Sequence, residues 1–336
     1  MSIGCRGAFS LLGWGIDFMK IAFIGHSYHK QTGSSKFFID LLKKIGRVQG
    51  FYDESWRGEP SGWARTFDPG EFDCVVIWQV AKAFEYFREP HPNVVFAPMY
   101  DAIAREGGIH WPEAFSPAKV LCFSSELQRQ VSRYTERCEY FQYYPDPRQY
   151  PVTAFGKMLR GIFWNRVASI DENVIARLCG DAVFDRFTLH NAADPFSGAR
   201  MMEESPIASR SLARDGWKVH RRDYLKEVER HNIFFAPRPC EGIGMSVLEA
   251  MAMGLCVVAT DMPTHNEYIT HGENGILYDL ANVRPVSLAD AAELGARARE
   301  SVEKGFRRWS ALEDQLMSFV SLPTSLFDTL LGRCSA

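Results

Sequence analysis

At 336 residues, with 46% hydrophobic and 24% charged residues, the chain suits two domains of ordinary size and is too apolar to be disordered. A formal net charge of -3 argues against a nucleic-acid binder, which would be clearly basic. The eight cysteines are scattered, without Cys-x-x-Cys or zinc spacing, so they read as reduced residues of a cytoplasmic protein, and no apolar run is long enough to span a bilayer.

In chain order, residues 1–18 lack the basic start and cleavage site of a signal peptide and are expected to be a loose extension or a mis-assigned start ahead of Met19. Apolar runs of strand length then alternate with helical patterns, the mark of a parallel α/β sheet. Ile21 to Gly25 is a first strand, followed by a polar loop from His26 to Lys36 and a helix through Phe37, Leu41 and Leu42. Cys74 to Gln79, Val94 to Ala97 and Val120 to Phe123 read as further strands, with Ser124 or Ser125 capping a helix that reaches about Tyr134. Prolines and tyrosines thicken at Tyr143 to Pro147, placing an interdomain linker near residues 145–155. A second series has strands at Gly161 to Trp164, Phe187 to His190, Asn232 to Pro237 and Cys256 to Ala259. Helices are expected at Asn173 to Cys179, Tyr224 to Arg230 and Val247 to Met253, and from Ser287 to about Val320.

One stretch carries most of the chemistry. A strand ending at Pro237 leads through a glycine-bearing turn into a helix closed by Gly254. Gly242 and Gly244 let the backbone approach a ligand, and the free amides of a helix start attract its negative charge. Glu241 and Glu249 flank the turn, so two acids can serve different parts of one ligand. The combination points to a nucleotide-sugar or sugar-phosphate site.

The run Pro237 to Gly254 (PRPCEGIGMSVLEAMAMG), with Leu255 to Thr260 and the block Asn266 to Leu277 downstream, resembles the Glu-x7-Glu signature of retaining GT-B glycosyltransferases, family 4 in particular. The resemblance covers Tyr224 to Tyr278; the amino-terminal half matches in pattern alone. It implies an α/β GT-B fold: two Rossmann-like domains facing each other across a cleft. The expected divisions are residues 19–150 for an acceptor domain, 151–310 for a nucleotide-sugar domain, and 311–336 for a helical segment crossing back onto the first domain.

By the same resemblance Glu249 bonds the ribose, Glu241 contacts the transferring sugar, and amides around Gly244, Met245 and Ser246 receive the diphosphate or sugar hydroxyls. Arg166, just after the first strand of the second domain, matches the family's diphosphate arginine. The lysine expected a few residues on is missing from Val167 to Asp171. Either Arg221, Arg222 or Lys226 replaces it, or the donor binds weakly; by themselves these three read as cations of a solvated face. In the first domain, Gly33 lies in the loop where relatives carry a glycine turn. Asp101 follows a predicted strand end, where open sheets place ligand groups, and stands where many relatives have a histidine. His26, His29 and His110 read as ordinary loop histidines. Trp56, Trp63, Trp78 and Trp111 read as packing residues that can also stack on a sugar.

The expected activity is metal-independent, retaining hexosyl transfer from a nucleotide diphosphate sugar to a glycan or lipid-linked acceptor in bacterial surface polysaccharide synthesis. No Asp-x-Asp is present, and no cofactor is expected. With no second acid evident beside Glu241, front-face transfer is favoured over a covalent intermediate. A catalytically silent sugar- or partner-binding relative and a phosphorylase-type GT-B enzyme are the alternatives. The expected setting is cytoplasmic, with peripheral contact at the inner face of the membrane and no nucleic-acid partner.

Overall fold

The computed structural model describes residues 18–55, 58, 61–105, 108–194, 197–200, 202–216 and 221–332. Of the expected extension only Phe18 falls within that range, and Trp56 lies outside the described residues. In the first half, β1 (Met19–His26), β2 (Gly46–Asp53), β3 (Cys74–Trp78) and β4 (Val94–Ala97) are joined through short helices α1 (His29–Thr32) and α2 (Lys36–Leu42). Helix α3 (Tyr100–Ile103) precedes a hairpin, β5 (Ala104–Arg105) and β6 (Gly108–Ile109), and then β7 (Lys119–Cys122), α4 (Ser125–Val131) and β8 (Cys138–Tyr140). The long strands form a six-stranded parallel sheet in the order β2-β1-β3-β4-β7-β8.

The second half repeats the plan. Strands β9 (Arg160–Asn165), β10 (Arg186–Asn191), β11 (Leu212–Gly216), β12 (Ile233–Phe235), β13 (Cys256–Thr260) and β14 (Ile276–Tyr278) make a second parallel sheet, ordered β11-β10-β9-β12-β13-β14. Helices α5 (Glu172–Cys179), α6 (Arg221–Val228), α7 (Met245–Ala252) and α8 (His265–Tyr268) connect them. The central strands are the ones that read as apolar runs, and every residue of β3, β4 and β13 is buried. Of the edge strands, β2 and β11 carry no such run, because half of an edge faces water and tolerates polar residues, whereas β14 is apolar but only three residues long.

The last long element, α9 (Ala291–Ser321), is one continuous helix rather than several, and α10 (Thr324–Leu330) follows it. At 31 residues α9 is about 46 Å long, enough to reach from one domain to the other. Its first turns, through Ala291 and Leu294, pack in the core of the second sheet. Val302 and Trp309 join an apolar cluster shared with Phe38, Trp78 and Phe123 of the first domain and Leu248 and Met251 of the second. Its last carbonyls are claimed by the first domain: Lys119 Nζ donates to Phe319, Val320 and Leu322, and Asn93 Nδ2 donates to Val320. A fully buried ammonium is tolerable there because helix-end carbonyls surround it.

Two histidines lock neighbouring elements. His231 Nδ1–H donates to the Glu227 carbonyl at 2.8 Å, and His265 Nδ1–H donates to Thr260 Oγ1 at 3.0 Å. Burial pushes both imidazoles down to about 4, against bonds that favour the charged form. The unfolded chain therefore takes up protons below about 6.5 that the folded chain refuses until about 4. The stability these residues support is full above pH 6.5 and falls as pH drops to about 4. In urea titrations the stability gap between wild type and His265→Gln should narrow by ~2–3 kcal/mol from pH 7.5 to 4.5. A gap that stays constant with pH would show that His265 is not held neutral.

Candidate active site

In each sheet the strand order reverses once, between β1 and β3 in the first and between β9 and β12 in the second. Ligands of open parallel sheets sit beyond the carboxyl ends at such reversals. Here the two reversals open onto the same cavity of about 660 Å³ between the domains. Its first-domain wall includes His26, the last residue of β1, and Gln79, directly after β3; its second-domain wall includes Arg166 and Arg238, just after β9 and β12.

The turn into α7 occupies the second-domain wall. Gly244 is its N-cap, with φ of +81°, a left-handed conformation that favours glycine, and no side chain caps the helix. The first amides of α7 are thus left for a ligand, and Met245 and Ser246 line the cavity. Gly242 serves a different end. A Cβ there would lie 2.7 Å from Met99 Cβ and 3.0 Å from Asp101 Oδ1, so this glycine lets the second-domain turn seat against the first domain.

That seating brings together acids far apart in sequence. Arg238 Nη1 donates to Asp101 Oδ2 at 2.5 Å and lies 3.6 Å from Glu241 Oε2, while its Nε is 3.3 Å from Asp194 Oδ2. Arg166 Nε donates to Asp194 Oδ1 at 2.7 Å; its Nη1 is 3.9 Å from Glu241 Oε1, and its guanidinium lies over the Trp164 ring. Glu241 is therefore not without a second acid. Asp101 and Asp194 both reach its neighbourhood, through strand ends that only the folded sheets juxtapose. Burial raises the Asp101 carboxyl above its usual range, opposed by Arg238 and reinforced by Glu241. Burial also works against the charge of Arg238, but Glu241, Asp101 and Asp194 outweigh it and the guanidinium is held charged. Oε1 of Glu241 and Oδ1 of Asp101 are buried without a hydrogen-bond partner.

About one turn into α7, Glu249 is buried in the same wall. Its carboxylate accepts from Arg221 Nη2, which also donates to Tyr150 Oη at 3.0 Å. Burial raises the Glu249 carboxyl and Arg221 opposes the rise. Of the three candidate replacement cations, Arg221 lines the cavity; Arg222 is exposed beside Asp223, and Lys226 is not among the described lining residues.

The first-domain wall is milder. His26 and His29 stand 5.6 Å apart by ring centroid and both line the cavity, unlike ordinary loop histidines. Burial and the nearby His26 push His29 down to about 4, with a bond to Gln79 opposing, so it presents a neutral ring at neutral pH. Gly33, at φ +65°, closes α1 by donating its N–H to the His29 carbonyl at 2.8 Å, and a Cβ added there would lie 3.9 Å from Arg221 Cδ. His110 is exposed and away from the cavity. Trp63 and Trp111 pack among Phe51 and Phe67 and among Phe96 and Phe115, whereas Trp78 lies in the core with an edge on the cavity. Arg238 and Asp194 escaped the sequence reading. Arg238 lies inside the quoted run, between two prolines, where a charged residue at a buried strand end was the available signal.

A second interdomain contact lies beside the cavity. Glu267, in α8, accepts from Ser124 Oγ at 2.6 Å and from the amides of Ser125 at 2.8 Å and Glu126 at 3.3 Å. A carboxylate of the second domain thereby caps a helix of the first.

Comparison with known proteins fits this geometry. Residues 208–294 match the family described as "Glycosyl transferases group 1". Over 70 residues the chain is 39% identical to the lipopolysaccharide core biosynthesis mannosyltransferase LpsB of Rhizobium meliloti (strain 1021), a match spanning 20% of each protein. Solved structures resemble it over far more of its length. Anabaena Alr3699/HepE in complex with UDP and glucose is 16% identical at a TM-score of 0.61, covering 89% of this chain and 100% of that one. Sucrose-phosphate synthase from Thermosynechococcus elongatus is 12% identical at 0.58, covering 94% and 99%. The lipopolysaccharide outer core galactosyltransferase WaaB is 14% identical at 0.54, covering 90% and 100%. At such identities the likeness is one of fold, and the fold is GT-B.

If Glu267 caps α4 across the cleft, Glu267→Ala should lower the unfolding free energy by ~1–2 kcal/mol in urea titrations. Combined with Ser124→Ala it should cost less than the two single changes added, since they share one bond. Strict additivity would count against the interdomain cap.

Proposed function

We propose that this chain is a glycosyltransferase that moves a sugar from a nucleoside diphosphate sugar to a glycan or lipid-linked acceptor, with retention at the anomeric carbon and without a metal. The observation that carries the reading is the uncapped start of α7, flanked by buried Glu241 and Glu249 and facing the cavity between the domains. A nucleoside diphosphate sugar fits that order of groups: ribose hydroxyls on Glu249, diphosphate near the α7 amides and Arg166, and the reacting sugar beside Glu241. The amides and the guanidinium can stabilise charge growing on the departing diphosphate.

Glu241 and Asp101 share Arg238, so a sugar resting there meets two carboxylates. In this reading they orient sugar hydroxyls. Transfer is front-face and oxocarbenium-like, with the donor's own phosphate taking the acceptor proton. The acceptor enters along the first-domain wall past His26 and His29. HepE was captured with UDP and glucose, and LpsB and WaaB are named for lipopolysaccharide synthesis. These support a hexosyl donor and a bacterial surface glycan as acceptor. No described helix is long and apolar enough to cross a membrane, and a lipid-linked acceptor would be met by peripheral contact at the inner face.

The reading is tested first by thermal shift with UDP, GDP, ADP, CMP and dTDP, with and without divalent metal. One diphosphate should raise the unfolding midpoint regardless of metal. Glu249→Ala should weaken that nucleotide roughly tenfold or more by losing charge-assisted ribose bonds. An unchanged affinity would sink the ribose role of Glu249. Glu241→Gln should keep nucleotide affinity while lowering turnover roughly a hundredfold. Normal turnover in that variant would remove Glu241 from the mechanism, and absence of any nucleotide binding would favour a silent relative.

A further inference from the structure

Four cations line the cavity among the described residues: Lys82, Arg166, Arg221 and Arg238. Lys82 is exposed. Arg166 and Arg238 are tied into Asp101, Asp194 and Glu241, so the two positive charges there are already exceeded by three carboxylates. Arg221 differs: its one carboxylate partner is Glu249, the residue assigned to ribose. Among the described residues both of its hydrogen bonds, to Glu249 and Tyr150, come from Nη2. Nε–H and the Nη1 hydrogens therefore remain for an anion. A Cβ built at Gly33 would lie 3.9 Å from Arg221 Cδ, so the stem of this arginine stands where the first-domain loop approaches the second.

We propose that Arg221 is a diphosphate-binding residue that exchanges partners, holding Glu249 while the cleft is empty and turning to the α-phosphate once ribose hydroxyls take the carboxylate. The inference rests on the nucleotide-sugar reading above. Ribose hydroxyls donate and an ionised carboxylate only accepts, so they compete with the guanidinium for Glu249. The α-phosphate is joined to the same ribose through C5′, which delivers a new anion beside the arginine as its old one is claimed. A side chain about 40% exposed has room for that turn, whereas Glu249 at 6% has not. Guanidinium-to-phosphate bonding is planar, charge-assisted and can be bidentate, which suits arginine in a position where a lysine would be a point charge. The empty site thereby keeps a buried carboxylate neutralised and the occupied site leaves neither partner uncompensated.

The test is calorimetric titration of the full chain and its Arg221→Gln variant with UDP, GDP and ADP, each paired with its nucleoside (uridine, guanosine and adenosine). For whichever diphosphate binds wild type, Arg221→Gln should lose roughly tenfold or more in affinity while nucleoside binding is no weaker. Arg221→Lys should recover part of the loss, and Arg222→Gln should behave as wild type. Equal weakening of diphosphate and nucleoside would reduce Arg221 to a support for Glu249, and no change in either would remove it from the site; both overturn the exchange. Should Arg221→Gln fail to fold, the lysine variant still decides, because a mere support would lose nucleoside affinity along with diphosphate. If wild type binds none of these three, nor CMP or dTDP, the nucleotide-sugar reading itself fails and the exchange falls with it.

Discussion

Arg238 gathers three carboxylates that belong to three separate loops. Asp101 follows β4, Asp194 follows β10, and Glu241 follows β12. Without a cation at their centre, three acids converging in a water-poor cleft would repel one another and the domains would not close this tightly. With it, the carboxyl ends of two sheets can be brought face to face. The Gly242 turn seats on Met99, and Glu241 and Asp101 each keep a buried carboxylate oxygen without a hydrogen-bond partner. The placement of the polar groups in the cleft depends on that one guanidinium being present and charged.

The same bookkeeping of charge explains why α7 begins on a bare glycine. Each buried cation in the cleft already has a carboxylate beside it, so an incoming diphosphate cannot count on idle positive charge. What the protein offers instead is a helix start whose amides have no competing cap, together with Arg221, whose present partner can be redirected. Fixed dipoles and a movable cation have different virtues. The amides need no reorganisation, and the arginine lets the empty cleft remain electrically balanced.

Much of this was legible beforehand, and the boundary between what was and what was not has a physical basis. The interior strands announced themselves as apolar runs because both of their faces are covered; β3, β4 and β13 are examples. The outermost strand on each side of both sheets was silent. In β2 the residues Arg47, Gln49 and Gly50 are half-buried or exposed, and nothing in such a pattern separates a strand from a loop. At the site, Glu241, Glu249, Gly242 and Gly244 were readable because one short turn carries them all. Asp194 and Arg238 were not, since their importance lies in meeting across the cleft, and chain-distant meetings leave no local pattern. Arg221 was one of three equivalent candidates until the start of α6 was placed. His26 and His29 look like loop residues in sequence, and gain their setting only where the β1 end is buried against Gln79 and the second domain.

The polypeptide passes between the domains twice, and the two passages lie side by side. The stretch at Pro147–Gln149 runs against α9: Arg299 donates to the Tyr150 carbonyl at 3.2 Å, and Arg148 lies over the Phe306 ring. The domains are thus joined by two adjacent stretches of covalent chain and, apart from the backbone, by the Glu267 cap and the Asp101–Arg238 bond, so any separation of the two walls has to break both of these noncovalent ties.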